Sequence, residues 1–353
     1  MKDILFLIRS YLRHLRIALS FLLLLAAANL LPDAAMARTL EVGPGKPYEV
    51  PSAAATAAQD GDTVLIAPGE YYDCATWRAD RLTIAAADAG GDTVTITDTA
   101  CGGKAAFIIA GNGVTVRNLG FARIRVPSDN GAGIRAEGRD LTIEDSRFVN
   151  DQMGILAASP DGGFLRIVGC SFAEDGSSLT GKINFGVRAS GYELLHIEHS
   201  TFGKARGGGH VSTEVGRAEL VGNGFADDGK PMQGPLVAVQ GGALLLEGNT
   251  FDLAAGAAER TGVVLAVGEA SAIAVRNNTL AGAGAGSTPL LRNWTGQDAA
   301  SVNNTVPAGS AAVTDAGITW HRLRATAAEI RDTVSGLLHM ARHLAAAVVH
   351  RIE

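Results

Sequence analysis

Aromatic side chains are scarce in this chain, 5% of 353 residues, and three cysteines and 11 prolines stand beside 44 glycines. Few aromatics with so much glycine ask for many tight turns and small inward side chains, so internal repeats are the first thing to look for. Charge of one sign is not in large excess: Lys plus Arg number 30 and Asp plus Glu 36, a net charge of -6. A nucleic acid partner is disfavoured, because phosphate binding needs a basic face. With 47% hydrophobic and 19% charged residues, disorder and collagen are excluded. Only one long apolar run occurs, Ile17 to Leu31, which excludes a multi-span membrane protein.

That run belongs to an expected signal peptide over 1–37. Lys2, Arg9, Arg13 and Arg16 precede or open it, and Ala35-Met36-Ala37 offers a small-x-small cleavage site before Arg38. Export to the periplasm or medium follows; an uncleaved anchor is the competing reading. No cysteine lies near the cleavage site, so a lipoprotein is excluded. Cleavage would leave 26 basic against 34 acidic residues, a charge of -8.

The rest of the chain repeats. VTVRNLGF ends at Phe121, and related segments end at Phe148, Phe172, Phe202, Phe225, Phe251, Leu280 and Val306, at intervals of 27, 24, 30, 23, 26, 29 and 26 residues. Before each anchor lies another short strand, such as GIRAEG from Gly133, GVRASG from Gly186, HVSTEV from His210 and LLRNWT from Leu290. Three short strands per unit, with no Leu-x-x-Leu-x-Leu framework, predict an all-β, right-handed parallel β-helix solenoid rather than a leucine-rich horseshoe. Counting back to residue 62 gives about nine coils within a domain spanning 38–306.

Two residues before the anchors stand Ser146, Cys170, Ser200, Asn223, Asn249, Asn278 and Asn304. Stacked turns would make them a hydrogen-bonded ladder, with asparagine accepting left-handed backbone angles there. Cys170 fills a ladder slot. Cys74 and Cys101 lie in irregular segments of a chain expected to be exported, and a disulfide between them is preferred to two free thiols.

The segment PYEVPSAAATAAQDGDTVLIAPGEYYD, Pro47 to Asp73, carries a short helical cap and then Gly61-Asp62-Thr63 and Pro68-Gly69-Glu70-Tyr71. It resembles the start of the pectin-lyase-like β-helix superfamily, whose members include pectate lyases, polygalacturonases, alginate lyases and mannuronan epimerases. The resemblance implies the β-helix fold over 47–306 and an acidic polysaccharide as partner. The Asp-Pro-His-Asp, Trp-Ile-Asp-His and paired-Asp signatures of those enzymes are absent, and Gly209-His210-Val211-Ser212 is a partial echo of a Gly-His-Gly strand.

Superfamily members bind sugars on the outer face of the strand that begins each unit. Alternation from inward Ile134, Val187 and Val211 sends Arg135, Glu137, Arg188, His210, Ser212 and Glu214 outward. Arg135 and Arg188, two coils apart, would stand roughly 10 Å from one another and meet uronate carboxylates. In a lyase or epimerase, Arg188 would neutralise the carboxylate and His210 would remove the C5 proton, while Arg135, Glu137, Ser212 and Glu214 bind substrate. Against this stands the reading that these charges only keep exposed strands soluble. Asp129, Asp151 and Glu137 supply oxygens near the groove, but no fixed calcium loop is present. His196 and His199 fall on another face, and neither a metal site nor a cofactor is predicted.

After a linker over 307–318, apolar residues from Trp320 to Val348 recur at steps of three and four, which predicts an amphipathic helix over 319–353. Self-association, docking on the β-helix and contact with a membrane are all open to it. The sequence leads to an exported β-helix that binds or modifies an acidic polysaccharide; the alternative is a non-catalytic scaffold or binding protein of the cell envelope.

Overall fold

The computed structural model describes residues 37–87, 93–176, 184–227, 234–255 and 262–315. The expected leader before Ala37 and the expected helix over 319–353 lie outside these residues. Contacts divide the chain between Arg38 and Thr39, and the solenoid belongs to the second unit.

Each coil is three short strands, as in Gly209–Glu214, Arg217–Val221 and Gly224–Asp227. A first strand pairs in parallel with the first strands of the coils before and after it, so that Val211 sits between Val187 and Val237. Middle and third strands stack likewise, Leu220 pairing Ile197 and Leu246, and Phe225 pairing Phe202 and Phe251. The third strands make a nine-stranded sheet. First and middle strands join in one sheet of 19, because Val237–Glu247 and Val264–Arg276 run through the corner unbroken. At that corner Gly242 has φ of +71°, and a Cβ there would lie 2.2 Å from the Val215 carbonyl oxygen, so only glycine fits.

The result is an all-β parallel β-helix of about ten turns. The sequence count of about nine falls short at both ends. Thr39–Val42 adds a rung below Thr63–Ile66, and Val313–Asp315 adds one beyond Leu291–Trp294. One α-helix occurs among the described residues, Pro51–Ala57, with proline in its first turn and Pro51 and Ala54 buried.

Inside, equivalent residues of successive coils stack. Phe121, Phe148, Phe172, Phe202, Phe225 and Phe251 form one column, with neighbouring ring centroids 4.6 to 5.2 Å apart and planes within 11°. The rings lie parallel, each burying its faces against the rings of the coils on either side. At a turn the asparagine ladder takes over. The Asn249 side-chain oxygen accepts from the Asn223 amide at 2.9 Å and from Asn223 Nδ2 at 3.1 Å, while its own Nδ2 donates to the Leu220 carbonyl and to Asn278 Oδ1 at 2.8 and 3.0 Å. The left-handed angles belong to the residue before each ladder position, not to the ladder residue as expected. Asp145, Gly169, His199, Gly222, Gly248, Asn277 and Asn303 have φ of +46° to +65°. The turn reverses at that residue, which frees the next side chain to lie along the stack. Asn249→Ala is expected to cost about 1 to 3 kcal/mol in urea unfolding, because the Asn223 amide and Nδ2 lose their acceptor while the Leu220 carbonyl and Asn278 Oδ1 lose a donor. Unchanged stability would remove the ladder's structural role.

Cys170 occupies its ladder slot as a buried thiol, pushed up to about 12 by desolvation. Cys74 and Cys101 are joined, with Cα atoms 5.4 Å apart.

Candidate functional site

Register places the outward residues of the first strands in columns. Arg135 pairs Leu156, Leu156 pairs Arg188, and Arg188 pairs Ser212. Arg135 and Arg188 are therefore two coils apart, roughly 10 Å at the usual strand separation. Arg188 is exposed and makes no ion pair among the described residues. Arg135 is held by Glu137, with Nε 3.6 Å from Oε1, and Glu137 also accepts from Lys104 Nζ at 2.7 Å. Ser212 is half-buried and Glu214 exposed at the far end of its strand.

The face is not open along its whole length. Ala105, Ile108, Ala132 and Met153 form a small buried apolar cluster with partly buried Cys101 and Leu156. Cys101 bridges Ala105 in antiparallel fashion, so the disulfide-tied turn lies against this stretch. Along the column Arg135 and Leu156 are half-buried, and exposed surface starts at Arg188. A shallow depression of about 460 Å³ lies where the first and middle strands meet, lined by Tyr192, Glu214, Gln240, Glu269 and several glycines.

His210 is not part of this surface, contrary to the alternation argument. It is 2% exposed, and its ring sits 5.7 Å from Phe202 and 6.0 Å from Phe225 by centroid. Its Nε2 is 2.8 Å from the Ala226 carbonyl oxygen. The cause is the corner between third and first strands. The amides of His210 and Val211 both donate to the Leu236 carbonyl, at 2.8 and 3.1 Å. One carbonyl serving two successive amides turns the backbone, and both side chains fall on the inner side. The neighbouring register puts Gly133, Gly154 and Gly186 in the same column below His210. A Cβ at Gly133 would come within 2.8 Å of Phe148 Cδ1, so glycine there makes room for the phenylalanine stack. His210 is separated from Arg188 and Glu214 by the sheet, and the base assigned to it from sequence loses its access to substrate.

Asp129 and Asp151 are likewise buried rather than beside a groove. Asp151 Oδ1 accepts from the Ile124 amide, and Asp175 Oδ1 accepts from the Asp151 amide, both at 2.8 Å. Gln152 Oε1 accepts from the amides of Val126 and Gly131, and its Nε2 donates to Asp129 Oδ1. These bonds fix the loop over 123–131. Desolvation pushes the Asp175 carboxyl up to about 8, and desolvation with the nearby Asp175 raises Asp151. Asp175 Oδ2 has no hydrogen-bond partner among the described residues.

A second polar cluster lies on the outer face of the middle strands. His196 Nδ1 is 2.9 Å from Glu219 Oε2 and Nε2 3.3 Å from Glu198 Oε2, while Arg217 and Arg166 hold the outer sides of the two carboxylates. Hydrogen bonding from His196 holds Glu198 below its ordinary value. For Glu219, burial pulls upward and the bonds from His196 and Arg217 outweigh it, so it too is lowered. Both ring nitrogens are engaged by carboxylates, leaving none directed at a substrate. Among the described residues no group of three or more His, Cys, Asp or Glu is arranged to hold a metal ion, and no helix is long and apolar enough to cross a membrane.

Sequence reasoning missed Arg292 and Trp294. Leu265 pairs both Ala238 and Arg292, which puts Arg292 in the column of Arg135 and Arg188. The signal was present, because LLRNWT, GIRAEG and GVRASG each carry arginine at the third position.

No family model matches the chain, and no curated protein does. Among solved structures it is similar to the A-modules of two Azotobacter vinelandii mannuronan C-5 epimerases. AlgE4 shares 15% identity over 76% of this chain and 92% of that one, with a TM-score of 0.36. AlgE6 shares 16% over 75% and 92%, with a TM-score of 0.34. Likeness of this degree leaves the activity of this chain to its own residues.

Proposed function

We propose that the protein is an exported β-helix that binds an acidic polysaccharide along the outer face of its first strands, without cleaving or epimerising it. The observation that carries the reading is Arg188. It is an exposed guanidinium on a rigid strand, in register with Arg135 and Arg292, while the histidine that proton abstraction would use is enclosed by phenylalanine. A guanidinium offers a planar pair of donors to a carboxylate, and fixed strands hold such contacts without the cost of ordering backbone at binding.

The test is calorimetric titration of the full chain with polyuronates, beside an ultraviolet assay for the unsaturated product of β-elimination and an NMR assay for C5 inversion. Saturable binding with neither product is expected. Product formation that His210→Ala abolishes in a folded variant would overturn the non-catalytic reading. Absence of any affinity would overturn the binding reading and favour an envelope scaffold.

A further inference from the structure

The two ends of the solenoid are finished differently. At the first rung Leu40 and Val42 are buried, because the helix Pro51–Ala57 packs against Thr39–Val42. At the last rung no such cover exists among the described residues. Ala299, Val306 and Val313 continue the interior columns of Ile273, Leu280 and Leu291, yet each is only half-buried. Past Asn293 no described residue is buried at all. Ala299–Val302 and Val313–Asp315 each pair on one side only among the described residues, and an uncovered strand edge is a template for pairing with another chain.

We infer that the chain's own C-terminal segment closes this end, the apolar seam that opens at Trp320 lying across Ala299, Val306 and Val313 as the helix Pro51–Ala57 lies across the first rung. Asp315 ends the last rung, and five residues of extended chain, at most about 17 Å, carry the backbone from there to Trp320. A strand of four or five residues makes each side of the coil about 15 Å long. A helix of about 15 residues measures roughly 22 Å and crosses that opening whole, and Trp320 to Val334 supplies the length. Over it Trp320, Leu323, Ala327, Ile330 and Val334 recur at steps of three and four, one apolar face of a helix. Charge points to the same occupant. From Thr295 to Asp315 the charged residues are Asp298 and Asp315, both exposed, whereas the segment opens with Arg322 and Arg324 and has no acidic residue before Glu329. Asp315 Oδ1 accepts from Asn293 Nδ2 at 2.6 Å, which fixes that carboxylate at the rim. A second copy stacked end to end would set these aspartates against their own like, a placed repulsion that disfavours it.

The test is hydrogen exchange of the full chain, read over 299–315 and over 39–42 at two protein concentrations, with and without vesicles of anionic lipid. The unaltered protein is compared with Leu323→Asp combined with Ile330→Asp. A cap supplied by the same chain is expected to protect 299–315 equally at both concentrations and without vesicles. The double variant is expected to exchange at least about tenfold faster there, with 39–42 unaffected. Val306→Cys combined with Leu323→Cys and joined by a short bis-maleimide is expected to give a cross-linked monomer, since Cys170 is buried and Cys74 and Cys101 are paired. Unchanged exchange in the double variant would overturn the inference. So would protection lost on dilution, the mark of a second copy, or protection gained only with vesicles, the mark of a membrane. If the double variant fails to fold, the cross-link decides, and its absence within the chain would overturn the inference.

Discussion

Phe202→Ala is expected to destabilise the protein by about 3 to 5 kcal/mol, the range for removing a large buried aromatic side chain. Phe202 is 1% exposed and is stacked on both faces, 4.6 Å from Phe172 and 4.8 Å from Phe225 by centroid. Neighbours on a β-solenoid cannot collapse into the gap, because their backbones are held by ladder bonds above and below. The phenyl rings of Phe172 and Phe225 each lose a stacking face, and the His210 ring loses one of its two aromatic contacts. Since a solenoid couples mainly through adjacent coils, weakening the column at its middle should also broaden the unfolding transition. Urea denaturation followed by circular dichroism reads both effects. A loss below about 1 kcal/mol would show that the stack contributes little.

The second large effect is on pH dependence. Asp175 is fully enclosed and desolvation raises its carboxyl to about 8, against roughly 3.9 for an unfolded aspartate. The folded state therefore holds a proton that the unfolded state releases. The stabilisation from that proton is complete below about pH 4 and is lost progressively as pH rises to about 8. This slope opposes that of Asp98, Glu174, Glu198 and Glu219, whose lowered values add stability above their unfolded range and lose it as pH falls. Asp175→Asn keeps an oxygen for the Asp151 amide and removes the ionisation. It is expected to raise stability at pH 7.5 by about 2 kcal/mol and to lessen the fall between pH 5 and 8, of which a part remains with Asp151, also raised by burial. Parallel curves for the two proteins would contradict the buried, protonated carboxyl.

The fold was legible because its strongest signal is also its strongest contact. Phenylalanine returning every 26 or so residues is the interior stack itself, and Asn223, Asn249, Asn278 and Asn304 announce the turn beside it. The corners were not legible by alternation. A rule of period two holds within a strand, but it fails at His210, where one carbonyl takes two amides and successive side chains turn inward. The apolar pairs Leu236-Val237, Val263-Val264 and Leu290-Leu291 at the same register are the sequence trace of that geometry, and Gly133, Gly154 and Gly186 are its counterpart where a ring needs the space. Asp151 and Asp175 recur three residues after their anchors, a repeat in a turn that looks like surface until the loop over 123–131 is seen to close on it. Arg188 was placed correctly by alternation because it lies well inside its strand.

If the outer face of the first strands is where an acidic glycan binds, reversing one charge there should matter and reversing an equally exposed charge on another face should not. Arg188 and Arg147 make that pair, the latter exposed on the third strands, with its nearest side-chain hydrogen bond a long 3.5 Å to Thr95. The deciding measurement is the affinity of Arg188→Glu and Arg147→Glu for an acidic polysaccharide, taken at low and at physiological salt. A loss of at least about tenfold for Arg188→Glu with less than about twofold for Arg147→Glu is predicted at both. Equal losses that vanish together at physiological salt would mean diffuse charge attraction, and would contradict a site on this face.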